Sequence, residues 1–150
     1  MSKFFFFFIL ILAGSTVGHS SGFAGDSLEL IADAKRQGEQ IVLTVTGRTA
    51  PKFHLYSVHP QGEFGPKPTR LILEQPEFQA VGTLKESQPK LMLDQALGDN
   101  YLIHQGEFWV AQVYKSKPFT GAIRGYLFYQ LCDNLICLTP VKQPFEAKIH

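Results

Sequence analysis

The alternation of apolar and polar positions along the chain predicts short β-strands. It is clearest in Glu39 to Arg48, where Ile, Leu and Val occupy every second position and β-branched residues fill most of the others. Period-two alternation with β-branched enrichment is typical of a half-buried strand. Leu28 to Ala34 alternates in the same way, and Gln37-Gly38 predicts the turn between the two segments.

Further apolar segments predict additional strands along the chain. These segments are Phe53 to Val58, Arg70 to Leu73, Gln79 to Leu84, Tyr101 to His104, Glu107 to Lys115 and a final pair from Tyr126 onward. His59 to Pro68 is rich in glycine and proline, which predicts a surface loop. Lys85 to Pro89 predicts a polar linker, and Gln105-Gly106 predicts a hairpin turn between its neighbours. Leu91 to Asn100 fits either a helical turn that ends near Gly98 or an irregular loop.

The spacing of these segments predicts the fold class. About eight or nine short strands are separated by turn signals, and no helical segment exceeds two turns. This pattern is typical of an all-β chain that folds as an immunoglobulin-like antiparallel β-sandwich.

The N-terminus carries the pattern of a secretory signal peptide. Lys3 precedes Phe4 to Ala13, an uninterrupted apolar run of ten residues, and small residues follow. A run of this length cannot cross ~30 Å of hydrocarbon as a helix. We therefore predict a signal peptide over residues 1–24, with cleavage after Ala24, or alternatively after Gly18.

The remaining residues, 25–150, are predicted to form one exported domain that is close to electrically neutral. Lys3 is the only charged side chain in residues 1–24, which leaves 13 basic against 13 acidic side chains. The sequence contains no basic patch, so we expect no nucleic-acid binding. It contains no apolar stretch long enough to span a membrane, so we expect membrane contact only through a partner.

The only two cysteines, Cys132 and Cys137, lie in an apolar and aromatic segment near the end of the chain, Tyr126 to Phe145. We interpret this segment as a hairpin in which the cysteines oppose each other across a four-residue loop. Opposed residues of a non-hydrogen-bonded antiparallel pair have Cα atoms about 4.5 Å apart, which a disulfide accepts. This register pairs Phe128 with Val141 and places both cysteines on the apolar side.

The spacing alone leaves the purpose of this disulfide open. A structural disulfide would make the chain a non-redox β-sandwich binding or scaffold module, but closing so short a loop contributes only about 2 kcal/mol. A short-loop disulfide at an exposed tip is also accessible to reduction. No Lys, Arg or His lies within four residues of either cysteine, and Asp133 adds negative charge. The disulfide is therefore better suited to accept attack by a partner's thiolate than to initiate exchange.

Metal and cofactor chemistry find no support in the spacing of candidate ligands. Three histidines, His54, His59 and His104, are scattered through the chain and form no ligand set with the two cysteines at a recognisable spacing. We interpret them as ordinary surface or half-buried residues, and we expect no metal site and no cofactor.

Five short motifs follow one another in a defined order. They are Phe53 to Ser57, a Gly/Pro-rich loop ending in Pro68-Thr69, Leu84 to Lys90, Lys117-Pro118-Phe119, and Tyr-Gln-x-Cys-Asp-x-x-x-Cys-Leu-x-Pro over Tyr129 to Pro140. In order and spacing the chain resembles the N-terminal periplasmic domain of the thiol:disulfide interchange protein DsbD. The resemblance covers nearly all of the predicted exported domain. Thr139 is a small departure, because many family members have proline there.

The resemblance implies an immunoglobulin-like domain whose cysteines relay electrons in the periplasm. The family's domain is reduced by a thioredoxin-like domain and reduces periplasmic disulfide-bearing clients, such as disulfide isomerases and cytochrome c maturation proteins. Its second cysteine, here Cys137, forms the mixed disulfide with partners, and Cys132 resolves it. The fullest members continue into membrane and thioredoxin-like domains. Because this sequence stops at His150, we expect a separate protein to supply the reductant.

The resemblance also implies a cap loop that shields the cysteine pair. The family's Asp-Glu-Phe-x-Gly pattern falls on Asp94-Gln95-Ala96-Leu97-Gly98, where Asp94 and Gly98 match and Gln95 and Ala96 do not. We expect this cap, which lacks an aromatic residue, to cover the disulfide less tightly. Tyr56 matches a family tyrosine near the site.

Overall fold

The computed structural model describes residues 27–59 and 61–150, so the predicted signal peptide lies outside the described residues. The described part of the chain contains eleven β-strands and no α-helix. It accordingly offers no helix long and apolar enough to cross a membrane. In chain order the strands are β1 (Leu28–Gln37), β2 (Gln40–Thr49), β3 (His54–Tyr56), β4 (Arg70–Leu73), β5 (Gln79–Glu86), β6 (Lys90–Asp94), β7 (Asp99–His104), β8 (Glu107–Lys115), β9 (Ala122–Tyr129), β10 (Leu131–Cys132) and β11 (Val141–Lys148).

The strands form three antiparallel sheets. The first sheet has the order β1-β2-β8-β5, the second β10-β3-β7-β6 and the third β11-β9-β4. Neighbouring strands pair antiparallel throughout. This arrangement confirms the predicted all-β class and the immunoglobulin-like antiparallel β-sandwich.

The core lies between the first sheet and the other two sheets. On β2, Ile41, Leu43 and Val45 are fully buried, as their alternation predicts. One core cluster draws on all three sheets and contains Leu28, Val45, Phe53, Leu55, Phe108, Val110, Leu127, Tyr129 and Leu131. Burial of such side chains contributes about 1.5–3 kcal/mol each, so a continuous apolar core is available to hold the fold.

The prediction of a helical turn or irregular loop over Leu91 to Asn100 is wrong. This stretch contributes to the β6–β7 hairpin, in which Leu91 pairs with Leu102, and only residues 95–98 form the turn. Gly98 ends that turn with a φ of 76°, a left-handed conformation that glycine adopts without steric cost. The helix-forming residues of the segment are overridden by pairing across the second sheet.

The predicted hairpin around Gln105-Gly106 is also wrong. The strands on either side of it enter different sheets, because β7 pairs with β3 and β6, whereas β8 pairs with β2 and β5. The connection is fastened to the end of β2 instead. Gly106 donates its backbone N–H to the Thr49 hydroxyl at 2.8 Å, and Thr49 donates its N–H to the Gly106 carbonyl at 3.1 Å.

The predicted polar linker over Lys85 to Pro89 begins two residues too early, because Lys85 and Glu86 continue β5. Glu86 is held there by long-range hydrogen bonds. Its carboxylate accepts the Ser57 hydroxyl at 2.5 Å and the Val58 N–H at 3.0 Å.

The register predicted for the final hairpin is wrong by one residue in its long strands. Val141 pairs with Tyr129 rather than with Phe128. The shift arises because the chain leaves β9 before the cysteines and forms β10, which pairs with β3 in another sheet. Near the loop the predicted opposition holds, since Cys132 and Cys137 form an isolated antiparallel bridge. Along β11, buried or partly buried residues alternate with exposed ones.

Candidate functional site

A disulfide joins Cys132 and Cys137, whose Cα atoms lie 4.0 Å apart. The two sulfur-bearing residues differ in accessibility. Cys132 is fully buried in β10 with an exposure of 0%, whereas Cys137 is only partly buried. The loop between them is exposed, with Leu135 83% and Ile136 56% accessible. The expected exposed tip therefore describes the loop and the second cysteine, but not the first.

The loop between the cysteines is organised by Asp133. Its carboxylate accepts the backbone N–H groups of Leu135 at 2.8 Å and Ile136 at 2.9 Å. Its own N–H donates to the Ile136 carbonyl at 3.0 Å. The two backbone bonds to the carboxylate lower the pKa of Asp133, and the bond from Ile136 has the larger effect. Asp133 is thus ionised at neutral pH, and its charge is directed at the loop backbone.

Strand β3 brings two ring side chains against the disulfide. His54 and Tyr56 are two residues apart on the strand, so they share one face, and His54 is the cross-strand partner of Cys132. Their rings meet edge to face with centroids 5.5 Å apart. The buried Tyr56 hydroxyl lies 3.7 Å from the Cys137 Sγ. The β10–β3 pairing therefore sets the position of both sulfurs relative to these rings.

The carboxylate of Asp94, at the end of β6, is fully buried beside the same rings. It lies 2.9 Å from the His54 Nε2, and it accepts the Tyr56 hydroxyl and the Leu97 N–H. Burial alone would raise the pKa of Asp94, but the bonds from Tyr56, His54 and Leu97 outweigh it and leave the pKa below its usual range. Asp94 is thus a buried anion at neutral pH.

The Tyr56 hydroxyl is held in its protonated form. Burial raises its pKa most, and the hydrogen bond to Asp94 and the negative charge of that carboxylate raise it further. Tyr56 therefore acts as a hydrogen-bond donor throughout the physiological pH range.

The predicted cap residues divide into two groups. Asp94 and Tyr56 are buried beside the disulfide, whereas Gln95, Leu97 and Gly98 lie exposed on the β6–β7 turn. The turn is closed by the Gly98 N–H, which donates to the Asp94 carbonyl at 2.7 Å. The cap therefore reaches the disulfide environment through its first side chain.

Sequence reasoning missed His54 as a site residue. It is buried at 2% exposure, and its ring nitrogen, an Asp94 carboxylate oxygen and the Cys132 Sγ all lie within 4.8 Å of one another. The search for cationic residues near the cysteines covered only four residues along the chain on either side. His54 approaches Cys132 from another strand, so that search could not find it. Its two-residue spacing from Tyr56 was the available signal.

His104 and His59, the other two histidines weighed as metal ligands, lie outside this cluster. His104 is also buried and bonds the Glu86 carboxylate at 2.8 Å, whereas His59 is 68% exposed. The interpretation as surface or half-buried residues is therefore right for His59 and wrong for His54 and His104.

Fold and site together define a class: an immunoglobulin-like domain with a short-loop disulfide, of which one cysteine is fully buried and the other is partly buried. Residues 27–148 match the family model described as "Thiol:disulfide interchange protein DsbD, N-terminal". The chain belongs to this family. No curated protein matches the chain significantly.

The fold is shared with solved structures, among them two N-terminal domains. The N-terminal periplasmic domain of ScsB from Proteus mirabilis superposes with a TM-score of 0.59 at 20% identity, over 81% of this chain and 47% of that one. The chain thus spans about half the length of this relative. The Neisseria meningitidis DsbD n-terminal domain in its reduced form superposes with a TM-score of 0.54 at 17% identity, over 79% of this chain and 84% of that one. Family membership and the disulfide together support thiol–disulfide exchange.

Proposed function

We propose that the protein is a periplasmic thiol–disulfide exchange protein that relays electrons through Cys132 and Cys137. In this proposal a thioredoxin-like domain or protein reduces the pair, and the pair then reduces exported clients that carry disulfides. The observation that carries the proposal is the unequal burial of the two cysteines. Family membership supports the chemistry, and the structural likeness to a periplasmic domain supports the compartment.

The unequal burial gives the exchange a direction. A thiolate attacks one sulfur of a disulfide and expels the other, and the outcome depends on which sulfur is accessible. Cys137 is only partly buried, whereas Cys132 is fully buried against Tyr56 and Ile103 of the second sheet. We therefore assign Cys137 as the attacked sulfur and Cys132 as the leaving and resolving sulfur.

The reaction balances in two steps. A partner thiolate bonds to the Cys137 sulfur, the intramolecular S–S bond breaks, and Cys132 departs as a thiolate that takes up a proton. The partner's second cysteine thiolate then attacks the partner's first sulfur, which is bonded to Cys137, and releases Cys137 as a thiolate. The partner is oxidised by two electrons and the Cys132–Cys137 pair is reduced by two. Transfer to a client runs the same steps in reverse, beginning with the Cys137 thiolate.

The buried polar residues position the sulfurs during these steps. Cys132 departs beside the His54 ring, of which one nitrogen lies within 4.8 Å of the Cys132 sulfur. The Tyr56 hydroxyl lies near Cys137 but donates its hydrogen to Asp94. We therefore assign Tyr56 to positioning the Cys137 sulfur and not to transferring a proton.

The redox equilibrium with glutathione tests the proposal. The protein is equilibrated with defined ratios of reduced and oxidised glutathione, and its free thiols are trapped and counted by mass. A reduction potential above about −300 mV is expected for a relay, whereas structural disulfides lie below that value. A potential far below it would contradict the proposal.

The proposed clients are disulfide isomerases and cytochrome c maturation factors. A Cys132→Ala variant retains the proposed attacking thiol and lacks the resolving one, so it should accumulate a mixed disulfide with an oxidised client. Purified candidates can be compared by non-reducing electrophoresis. A Cys137→Ala variant serves as the control and should accumulate none.

A further inference from the structure

Four potential metal-ligand side chains converge around the disulfide. A ring nitrogen of His54, a carboxylate oxygen of Asp94 and the Cys132 Sγ lie within 4.8 Å of one another, and all three residues are buried. The Cys137 Sγ is bonded to the Cys132 sulfur and therefore adjoins the same cluster. These residues come from β3, β6, β10 and the loop after β10, so the fold assembles the cluster from distant parts of the chain.

Reduction of the disulfide changes the ligand capacity of this cluster. Dithiothreitol delivers two electrons and two protons to the S–S bond, which becomes two thiols, while dithiothreitol becomes its cyclic disulfide. The oxidised cluster offers one imidazole and one carboxylate as strong ligands. The reduced cluster adds two sulfurs, each of which binds a metal once it has lost its proton.

We propose that the reduced protein binds one Zn²⁺ ion through Cys132, Cys137, His54 and Asp94, and that the oxidised protein does not. Zn²⁺ prefers four ligands in a tetrahedral arrangement drawn from thiolate, imidazole and carboxylate. This ligand set is mixed and sulfur-containing, which favours Zn²⁺ over the oxygen-preferring Mg²⁺ and Ca²⁺. This proposal does not depend on the proposed relay function, because metal binding requires only that the disulfide can be reduced chemically.

The distances in the structure suit such a site. Ligands at Zn–N and Zn–O distances of about 2.0–2.2 Å lie roughly 3.3 Å apart around a tetrahedral ion. The His54 Nε2 and Asp94 Oδ2 are 2.9 Å apart, so a small separation of these atoms admits the ion. Zn²⁺ takes the place of the hydrogen between these atoms, and the neutral imidazole then carries its single proton on Nδ1 instead of Nε2.

The charges of the cluster also fit a divalent cation. Binding releases the two thiol protons, and the two thiolates and the Asp94 carboxylate then carry three negative charges against two positive charges. The Tyr56 hydroxyl donates to the same carboxylate, and a second-shell donor of this kind orients a ligating carboxylate. Because Zn²⁺ occupies both sulfurs, metal binding holds the pair reduced and withholds it from exchange.

Titration with Co²⁺, a spectroscopic substitute for Zn²⁺, tests the site on the full domain. The protein is reduced with dithiothreitol, freed of reductant by gel filtration under argon and titrated. We expect sulfur-to-cobalt charge-transfer absorption that saturates at one equivalent and disappears when Zn²⁺ displaces Co²⁺. The oxidised parent protein is the control, because its sequence is unchanged and its sulfurs are bonded to each other. It should show no such absorption. Saturation at one equivalent in the oxidised protein, or no charge-transfer band in the reduced one, would overturn the proposal.

Two histidine variants separate the site from adventitious binding. His54→Gln keeps an N–H that can donate to Asp94 but removes a good zinc ligand, and it should weaken Zn²⁺ binding at least tenfold. His59→Ala removes an exposed histidine outside the cluster and should bind Zn²⁺ as the parent does. Near-ultraviolet circular dichroism of the oxidised variants checks that each is folded. Equal affinity of folded His54→Gln and parent protein would overturn the assignment.

The metal proposal and the relay proposal fail independently. The glutathione equilibrium is measured with a chelator present, so its potential does not depend on Zn²⁺. Adding one equivalent of Zn²⁺ without chelator should slow the reaction of the reduced protein with a small disulfide at least tenfold. An unchanged rate would contradict binding of Zn²⁺ by the two thiols. It would not affect the reduction potential measured with the chelator present.

Discussion

At the scale of single residues, a buried anion organises the surroundings of the disulfide. Asp94 is fully buried, yet its pKa lies below its usual range because Tyr56, His54 and the Leu97 N–H all bond its carboxylate. A carboxylate with a lowered folded-state pKa stabilises the protein above its unfolded-state pKa of about 4. That stabilisation is lost as the pH falls through the folded-state value.

The Asp94→Asn variant tests whether the charge of Asp94 stabilises the fold. At pH 7 the variant should lose about 1–3 kcal/mol of unfolding free energy, because a neutral amide bonds these donors less strongly. The loss should shrink as the pH falls below the unfolded-state pKa of about 4, because the carboxylate then binds a proton more readily in the unfolded chain than in the folded one. Urea unfolding of the oxidised proteins across this range measures both effects.

The matched control is Asp99→Asn, an exposed carboxylate on the same hairpin. It should change stability by less than about 0.5 kcal/mol. A difference between parent and Asp94→Asn that stays constant down to pH 2 would contradict the role assigned to the Asp94 charge.

The site residues that the sequence revealed are those with a recognisable motif or spacing. The cysteines and Tyr56 were found in this way. His54 was not, because its role depends on the pairing of β3 with β10 and on a contact with Asp94 that spans 40 residues. Apolar–polar alternation reports which face a residue occupies, but not what lies across from it.

At the scale of elements, Glu86 fastens β5 of the first sheet to the second sheet. Its buried carboxylate accepts the Ser57 hydroxyl and the Val58 N–H, and it bonds the His104 ring. Burial alone would raise the pKa of Glu86. These bonds lower it below its usual range, and the bond from Ser57 contributes most. Ser57 and Val58 directly follow β3, so this contact supports the strand that carries His54 and Tyr56.

Removing this carboxylate should therefore weaken the fold. Glu86→Ala leaves buried donors unpaired, which costs about 1–3 kcal/mol in unfolding free energy. Urea unfolding measures the loss, and the exposed Glu74→Ala is the control. A loss below about 0.5 kcal/mol in Glu86→Ala would show that the contact contributes little.

The β6–β7 turn is a second element with a specific backbone requirement. Gly98 has a φ of 76°, and an added Cβ in this left-handed conformation costs about 1–2 kcal/mol. Gly98→Ala should therefore destabilise the protein by that amount and disturb the turn bonds that hold Asp94. We expect dithiothreitol to reduce the disulfide faster in this variant, as measured by timed thiol trapping.

Gly38→Ala is the matched control, because Gly38 has a φ of 63° in the β1–β2 turn and its Cβ would also meet open space. It should lose similar stability while its disulfide is reduced at the parent rate. Equal acceleration in both variants would mean that general destabilisation, and not the cap turn, exposes the disulfide.

Strand positions were predicted well, but strand partners were not. The alternation in β2 and β8 marked the buried faces. It could not show that β7 and β8 enter different sheets, because a glycine-containing connection serves a hairpin and a sheet-to-sheet crossing equally well. The one-residue register error near Tyr129 has the same origin, since β10 leaves its hairpin to pair with β3.

At the scale of the whole molecule, the sandwich core is assembled without the disulfide. The core clusters that join the first sheet to the other two contain no cysteine, and the cysteines belong to a smaller cluster with Tyr56 and Ile103. The sandwich therefore acts as a scaffold that presents the cysteine pair at the edge of the second sheet.

The double variant Cys132→Ser, Cys137→Ser should consequently remain folded. Loss of the short-loop cross-link should lower the unfolding free energy by about 2 kcal/mol, while thiol–disulfide exchange is abolished. Circular dichroism and urea unfolding measure the fold and its stability. A variant that fails to fold would indicate that the disulfide is mainly structural.

Exchange through Cys137 is tested most directly by comparing the two single-cysteine variants. A thioredoxin-like protein that lacks its resolving cysteine is labelled with thionitrobenzoate on the remaining one, so that thiol attack releases the dye as the mixed disulfide forms. Cys132→Ala, which retains Cys137, should release the dye at least tenfold faster than Cys137→Ala, which retains the buried Cys132. Equal rates, or faster release through Cys132, would contradict the account.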